Sequence, residues 1–111
     1  MAVREVPAEW VASRLCSSDL AIVDVRGPER EGGWIPGSWD VPHVVDVRSL
    51  AKRVAESGAT RVVFHCMFSQ CRGPGNASRF EAELAKNRVS RVRVYVLAGG
   101  MAGWVNRYYG T

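Results

Sequence analysis

Nowhere in these 111 residues does an apolar run approach the roughly 18 positions needed to cross a bilayer. The opening stretch, Met1 to Pro7, lacks the apolar centre of a secretory signal. Cysteine is sparse. Cys16, Cys66 and Cys71 are odd in number and contain no Cys-x-x-Cys pair, which argues against the disulfide framework of a small secreted domain. Only His43 and His65 join them, so no structural zinc site is expected, and no other metal is implied. No repeat, low-complexity tract or linker divides the chain. The expectation is a single domain over residues 1–111, intracellular, in the cytoplasm or nucleus, without a membrane partner.

Charge of one sign is not concentrated either. Fifteen Lys and Arg against eleven Asp and Glu leave a net charge of +4, but the basic residues are scattered along the chain. They read as a solvated surface that attracts anionic substrates at long range. No nucleic-acid-binding module accompanies them, so no nucleic-acid partner is expected.

What the chain does contain is a regular alternation of apolar runs and amphipathic stretches. Pro7 to Leu15 reads as a short first helix with Pro7 at an early helical position. Leu20 to Val25 reads as a strand, and Trp39 to His43 as a brief extended segment. Between them lie the turn signals Gly27-Pro28, Gly32-Gly33 and Pro36-Gly37. Asp46 is placed to cap a helix ending near Ser57, with Gly58 as its stop and Val47, Leu50, Ala51 and Val54 as its buried stripe. Further strands are expected over Arg61 to Phe64 and Val92 to Leu97, with helices over Asn76 to Lys86 and Met101 to Tyr108. Such alternation predicts an α/β domain with a mostly parallel sheet and helices on both faces. Ligands of such sheets bind beyond the carboxyl ends of the strands, where Cys66 falls.

The segment that carries chemistry is His65-Cys66-Met67-Phe68-Ser69-Gln70-Cys71-Arg72, at the seam between a strand and a helix. A strand-loop-helix of this kind aims loop amides and a helix N-terminus at one spot, which suits an anion and favours the nucleophilic thiolate of Cys66. Cys66 is the expected nucleophile, and the planar fork of Arg72 would grip two oxygens of an oxyanion. Met67, Phe68, Ser69, Gln70 and Cys71 would contribute amides. The Ser69 hydroxyl faces either the anion or solvent, and Phe68 either shapes the entrance or packs. Cys71 could pair with Cys66 in a protective or resolving disulfide if their Cα atoms lie within about 4.4 to 6.8 Å. His65, ending a buried strand, is expected to be structural, with its ring bonded to backbone. Cys16 and His43 have no expected role. A proton donor for a leaving group is less evident; Asp24, Glu29 and Glu31 are the candidates.

The chain resembles the rhodanese superfamily over nearly its whole length. Asp24-Val25-Arg26, Gly33 to Ser38 and Val41-Pro42 are similar to one block of that family. Val94 to Leu97 followed by Gly99-Gly100-Met101-Ala102-Gly103-Trp104 is similar to its C-terminal block. The resemblance implies a single rhodanese-like domain with a five-stranded sheet, in which Asp24 and Arg26 hold the loop region together. Typical sulfurtransferases of the superfamily have four residues between cysteine and arginine. Five separate Cys66 from Arg72, as in the cell-division-cycle (M-phase inducer) dual-specificity phosphatases and the small eukaryotic arsenate reductases. One more residue widens the ring of amides, which suits a tetrahedral phosphate or arsenate better than a persulfide.

Two departures from the large mitotic phosphatases favour the small, stand-alone subgroup. Met67 replaces their acidic residue, and Val25 replaces the spare cysteine that forms their usual disulfide. The stretch from Arg72 to Arg79-Phe80 is also one residue longer, as in the small arsenate reductases. The implied function is a cysteine-dependent phosphatase, an arsenate reductase, or both, with no bound cofactor. Glutathione and glutaredoxin would be the reductants in the second case, glutaredoxin being then a protein partner. The alternatives are a thiosulfate-type sulfurtransferase and a non-catalytic rhodanese-like binding module.

Overall fold

The strands β2 (Leu20–Asp24) and β4 (Arg61–His65) lie side by side, running parallel in a register that sets Ala21 against Val62 and Asp24 against His65. The computed structural model describes residues 3–42, 46–67 and 72–108, apart from the side chains of Glu29 and Arg72. Among these residues the sheet is five-stranded and wholly parallel, with order β1-β5-β4-β2-β3. The outer and remaining strands are β1 (Arg4–Val6), β3 (Trp39–Asp40) and β5 (Arg93–Leu97). The expected mixed α/β architecture is therefore present.

Side chains alternate across this sheet with the two-residue period of a strand. Ala21, Val23, Val62, Phe64, Val94 and Val96 face one core, shared with Leu50, Val54, Phe80 and Leu84 from helices α2 (Val47–Ser57) and α3 (Arg72–Lys86). Ile22, Val63 and Leu97 face the other, shared with Val11 of α1 (Ala8–Ala12) and Met101 and Trp104 of α4 (Gly100–Tyr108). Helices thus cover both faces, and central strands buried on both sides read as continuous apolar runs.

Helix α2 follows its sequence signals. The Asp46 carboxylate accepts from the Arg48 and Ser49 amides at 3.1 Å each, and Gly58 closes the helix. Three other elements differ from expectation. Helix α1 stops at Ala12 rather than Leu15, and Pro7 is its cap rather than a helical residue. The Ser13 hydroxyl and the Arg14 guanidinium both donate to the Trp10 carbonyl at 3.0 Å, diverting an acceptor that would otherwise continue the helix. Helix α3 begins at Arg72, a full turn before the expected Asn76. Gly73-Pro74-Gly75 looks like a break, yet proline fits the first turn of a helix, whose amides have no intrahelical acceptor. Strand β1 carries no apolar run at all and exists by pairing with β5 at the sheet edge.

Candidate functional site

Asp40, Asp24 and His65 stand in register across β3, β2 and β4, forming a row at the carboxyl edge of the sheet. Cys66 follows directly after the last residue of β4, at the centre of that edge, and is only 4% exposed. Helix α3 starts directly opposite. The Gly73 amide donates to the Cys66 sulfur at 3.3 Å. An amide donor and the positive end of a 15-residue helix meet there, an arrangement suited to negative charge on sulfur or on a bound oxyanion. Glycine permits the approach: a Cβ at position 73 would lie 3.4 Å from both the Cys66 nitrogen and the His65 Cα.

A second helix holds the same segment from the other side. The first amides of α4 donate to it, Met101 to the Cys66 carbonyl at 2.9 Å and Ala102 to the Met67 carbonyl at 2.8 Å. A trans peptide keeps each carbonyl antiparallel to the following amide. Pinning the Cys66 carbonyl toward α4 therefore turns the Met67 N–H away from it. Gly100, with φ +58°, is the pivot of this clamp. A Cβ there would fall 2.6 Å from both carbonyl oxygens, so no other residue fits without moving the backbone.

Beneath the loop lies a buried charged cluster. The Asp24 carboxylate accepts from the Arg26 backbone amide at 3.1 Å, from Arg26 Nε at 2.9 Å and from Arg26 Nη2 at 2.7 Å. Arg26 Nη2 also donates to the Gly33 carbonyl at 2.7 Å, tying the end of β2 to the long loop that follows. Arg30 Nε approaches Asp24 to 3.3 Å. Burial pushes the Asp24 carboxyl up, but the Arg26 hydrogen bonds and the positive potential of its neighbours outweigh it, holding it below the usual carboxylate range. Asp24 is thus a fully buried carboxylate engaged by two arginines, in the loop-holding role that the resemblance implies, and of the three candidate proton donors it is the one already committed.

His65 is completely buried, with Nδ1 3.3 Å from the Cys66 carbonyl. A carbonyl only accepts, so the contact requires the proton on Nδ1. Burial lowers its pKa despite the opposing pull of Asp24, whose Oδ2 is 3.9 Å from Nε2, and the ring is neutral at pH 7. This is the structural, backbone-bonded role expected of it. Glu31 is exposed on a 3-10 turn (Pro28–Gly32), whereas the Glu29 side chain lies outside the described residues. So do His43, Phe68, Ser69, Gln70, Cys71 and the Arg72 side chain; Arg72 itself is the first residue of α3. Cys16 is exposed in the turn after α1, away from the site. Among the described residues no three His, Cys, Asp or Glu side chains group as a metal site would require.

The fold has counterparts among known proteins. A model of the rhodanese-like domain matches residues 7–107. The chain belongs to the rhodanese family. Among its relatives is the CDC25-like phosphatase YCH1 of Saccharomyces cerevisiae, 37% identical over 98 residues that span 78% of this chain and 66% of that protein. Another is the dual specificity phosphatase ibp1 of Schizosaccharomyces pombe, 32% identical over 111 residues, spanning 84% of this chain and 80% of the relative. In three dimensions this rhodanese domain resembles an As-Sb reductase from Leishmania major, with a TM-score of 0.89 and 28% identity, over 97% of this chain and 80% of that one. These relatives are thus two phosphatases and an As-Sb reductase, names that fit the branch the sequence resembles. Sequence reasoning passed over Gly100 and the α4 amides as parts of the site. The Gly99-Gly100 pair signals a tight turn, but nothing local says which backbone it meets.

Proposed function

We propose that this rhodanese domain is a cysteine-dependent enzyme acting on tetrahedral oxyanions, with Cys66 as nucleophile and Arg72 as the gripping cation. The observation that carries the reading is the Gly73 amide on the Cys66 sulfur at the carboxyl edge of the sheet. As a phosphatase, the Cys66 thiolate attacks phosphorus in line and the bond to the ester oxygen breaks. Water then hydrolyses the phosphocysteine, returning the thiolate and inorganic phosphate. The backbone amides from Met67 to Cys71 and the guanidinium of Arg72 stabilise the charge on the transferring group. Phosphotyrosine is the favoured ester, because a phenol leaves with a pKa of about 10 and needs a proton donor less than an alkanol does.

The commitment of Asp24 to Arg26 and Arg30 favours a second reaction at the same thiolate, arsenate reduction. Cys66 displaces a hydroxyl of arsenate as water, forming a sulfur–arsenic bond. A second thiol, glutathione, attacks the Cys66 sulfur, and the electron pair of that bond passes to arsenic. Arsenite departs, two electrons have moved, and Cys66 remains as a mixed disulfide that glutaredoxin reduces. No alkoxide leaving group has to be protonated. Any loop disulfide between Cys66 and Cys71 would protect the nucleophile between turnovers. A cytoplasmic setting, where glutathione is abundant, suits this chemistry.

Three assays on purified protein test the reading: aryl phosphate hydrolysis, glutathione- and glutaredoxin-dependent arsenate reduction, and thiocyanate formation from thiosulfate and cyanide. Either of the first two, lost in Cys66→Ser, is the expected result. Thiocyanate formation alone would make the protein a sulfurtransferase.

A further inference from the structure

Beyond the cysteine loop, a cavity of about 330 Å³ opens at the β3 side of the same sheet edge, lined by Gly27, Pro28, Arg30, Glu31, Trp34, Asp40 and Pro42. Its walls are the apolar faces of two prolines and the Trp34 indole, which is 49% exposed. Among the described residues, the one cation in its lining is already committed. Arg30 Nη2 donates to the Ser38 carbonyl at 2.8 Å and to the Ser38 hydroxyl at 3.0 Å, its Nε faces Asp24, and its guanidinium stacks 4.6 Å from the Trp34 ring. Glu31 and Asp40 are both exposed, and neither is ion-paired among the described residues. Among the described residues, Arg26 and Arg30 against Asp24, Glu31 and Asp40 leave one surplus negative charge in this corner of a chain whose net charge is +4.

We propose that this cavity is a subsite for a basic side chain, lysine or arginine, of a phosphorylated polypeptide substrate. The inference rests on the phosphatase reading above and names the substrate class it implies. A lysine or arginine stem lies against Pro28, Pro42 and Trp34, while its charged head meets Glu31 and Asp40 and the exposed part of the indole that Arg30 does not cover. The register fixes the reach. Asp40 and His65 stand two strands apart in one row, which is roughly 10 Å at about 4.8 Å per strand. An extended peptide advances about 3.4 Å per residue, so the basic residue sits two to three positions from the phosphorylated one.

The experiment compares phosphotyrosine peptides with lysine, alanine, phenylalanine or glutamate at the second and third positions on either side. A parallel titration of the unphosphorylated lysine peptide follows the Trp34 indole N–H by NMR. Lysine peptides are expected to exceed alanine peptides by about 5- to 10-fold in kcat/KM, as one exposed ion pair plus a cation–π contact allows. Asp40→Asn combined with Glu31→Gln brings that ratio near one and removes the Trp34 shift. Equal kcat/KM for lysine and alanine, or a preference for phenylalanine or glutamate, overturns the subsite and leaves the phosphatase reading standing. If no peptide is hydrolysed, the phosphatase reading fails, and the Trp34 shift in the wild type against the double variant decides the basic-residue site by itself.

Discussion

Gly100 and Cys66 are 34 positions apart in the chain, yet a methyl group on the glycine would sit 2.6 Å from the Cys66 carbonyl oxygen. The contact brings the first turn of α4 onto the backbone that carries the sulfur, and the Met101 and Ala102 amides complete it. Gly100→Ala adds a clash to a left-handed backbone, at a cost of about 2 kcal/mol or more. The expected outcome is a lower unfolding midpoint together with a loss of activity larger than the loss of stability explains at assay temperature. Alanine at position 100 with unchanged kcat/KM would show that the clamp does not shape the loop.

The nucleophile and the leaving group give separate tests. Cys66→Ser is expected to lower aryl phosphate hydrolysis by about a thousandfold or more, since a neutral hydroxyl without a base is a poor substitute for a thiolate. In the wild type, aryl phosphates should exceed alkyl phosphates in kcat/KM, because Asp24 is buried and engaged and cannot protonate an alkoxide. Equal rates on phenyl and simple alkyl phosphates would point to a proton donor elsewhere.

Stability should fall on the acid side in two stages with the same sign. His65 is buried and has a lowered pKa, so below about pH 6.5 the unfolded chain takes up a proton that the folded one refuses. Asp24 also has a lowered pKa in the folded protein, so its contribution is present above about pH 3.9 and is lost as pH falls through the lower folded value. Denaturant midpoints are expected to decline from pH 7 to pH 5, with a steeper decline below pH 4. His65→Gln should flatten the upper stage and leave the lower one. A midpoint independent of pH between 7 and 5 in the wild type would contradict the assignment of a buried neutral ring.

The core beneath the site is tested at Phe80, fully buried on α3 with its ring centroid 5.4 Å from that of Phe64. Phe80→Ala is expected to cost about 3–5 kcal/mol. Chemical denaturation measures it, and a loss below 1 kcal/mol would mean that α3 is not anchored there.

Several of these elements could be read from the chain, and others could not. The Asp46 cap and Gly58 stop of α2 act within a few residues, and helix and signal coincide. The Gly73-Pro74-Gly75 run misleads because a break inside a helix and a first turn use the same residues, and only the position of Cys66 distinguishes them. Strand β1 is invisible because three residues, two of them charged, have no periodicity to detect. By residue type Asp24 is one of three candidate proton donors; its pairing with Arg26 is what the family resemblance implies, whereas the approach of Arg30 is a property of the assembled loop.

Cys66 at the end of an apolar run, ahead of an amphipathic helix and six positions before Arg72, is written in local order, because strand, turn and helix preferences act between near neighbours. The Gly100 clamp, the row of Asp40, Asp24 and His65, and the cavity beside Trp34 depend on register between strands far apart in the chain. Packing of both sheet faces sets that register, so those features came into being only with the folded molecule.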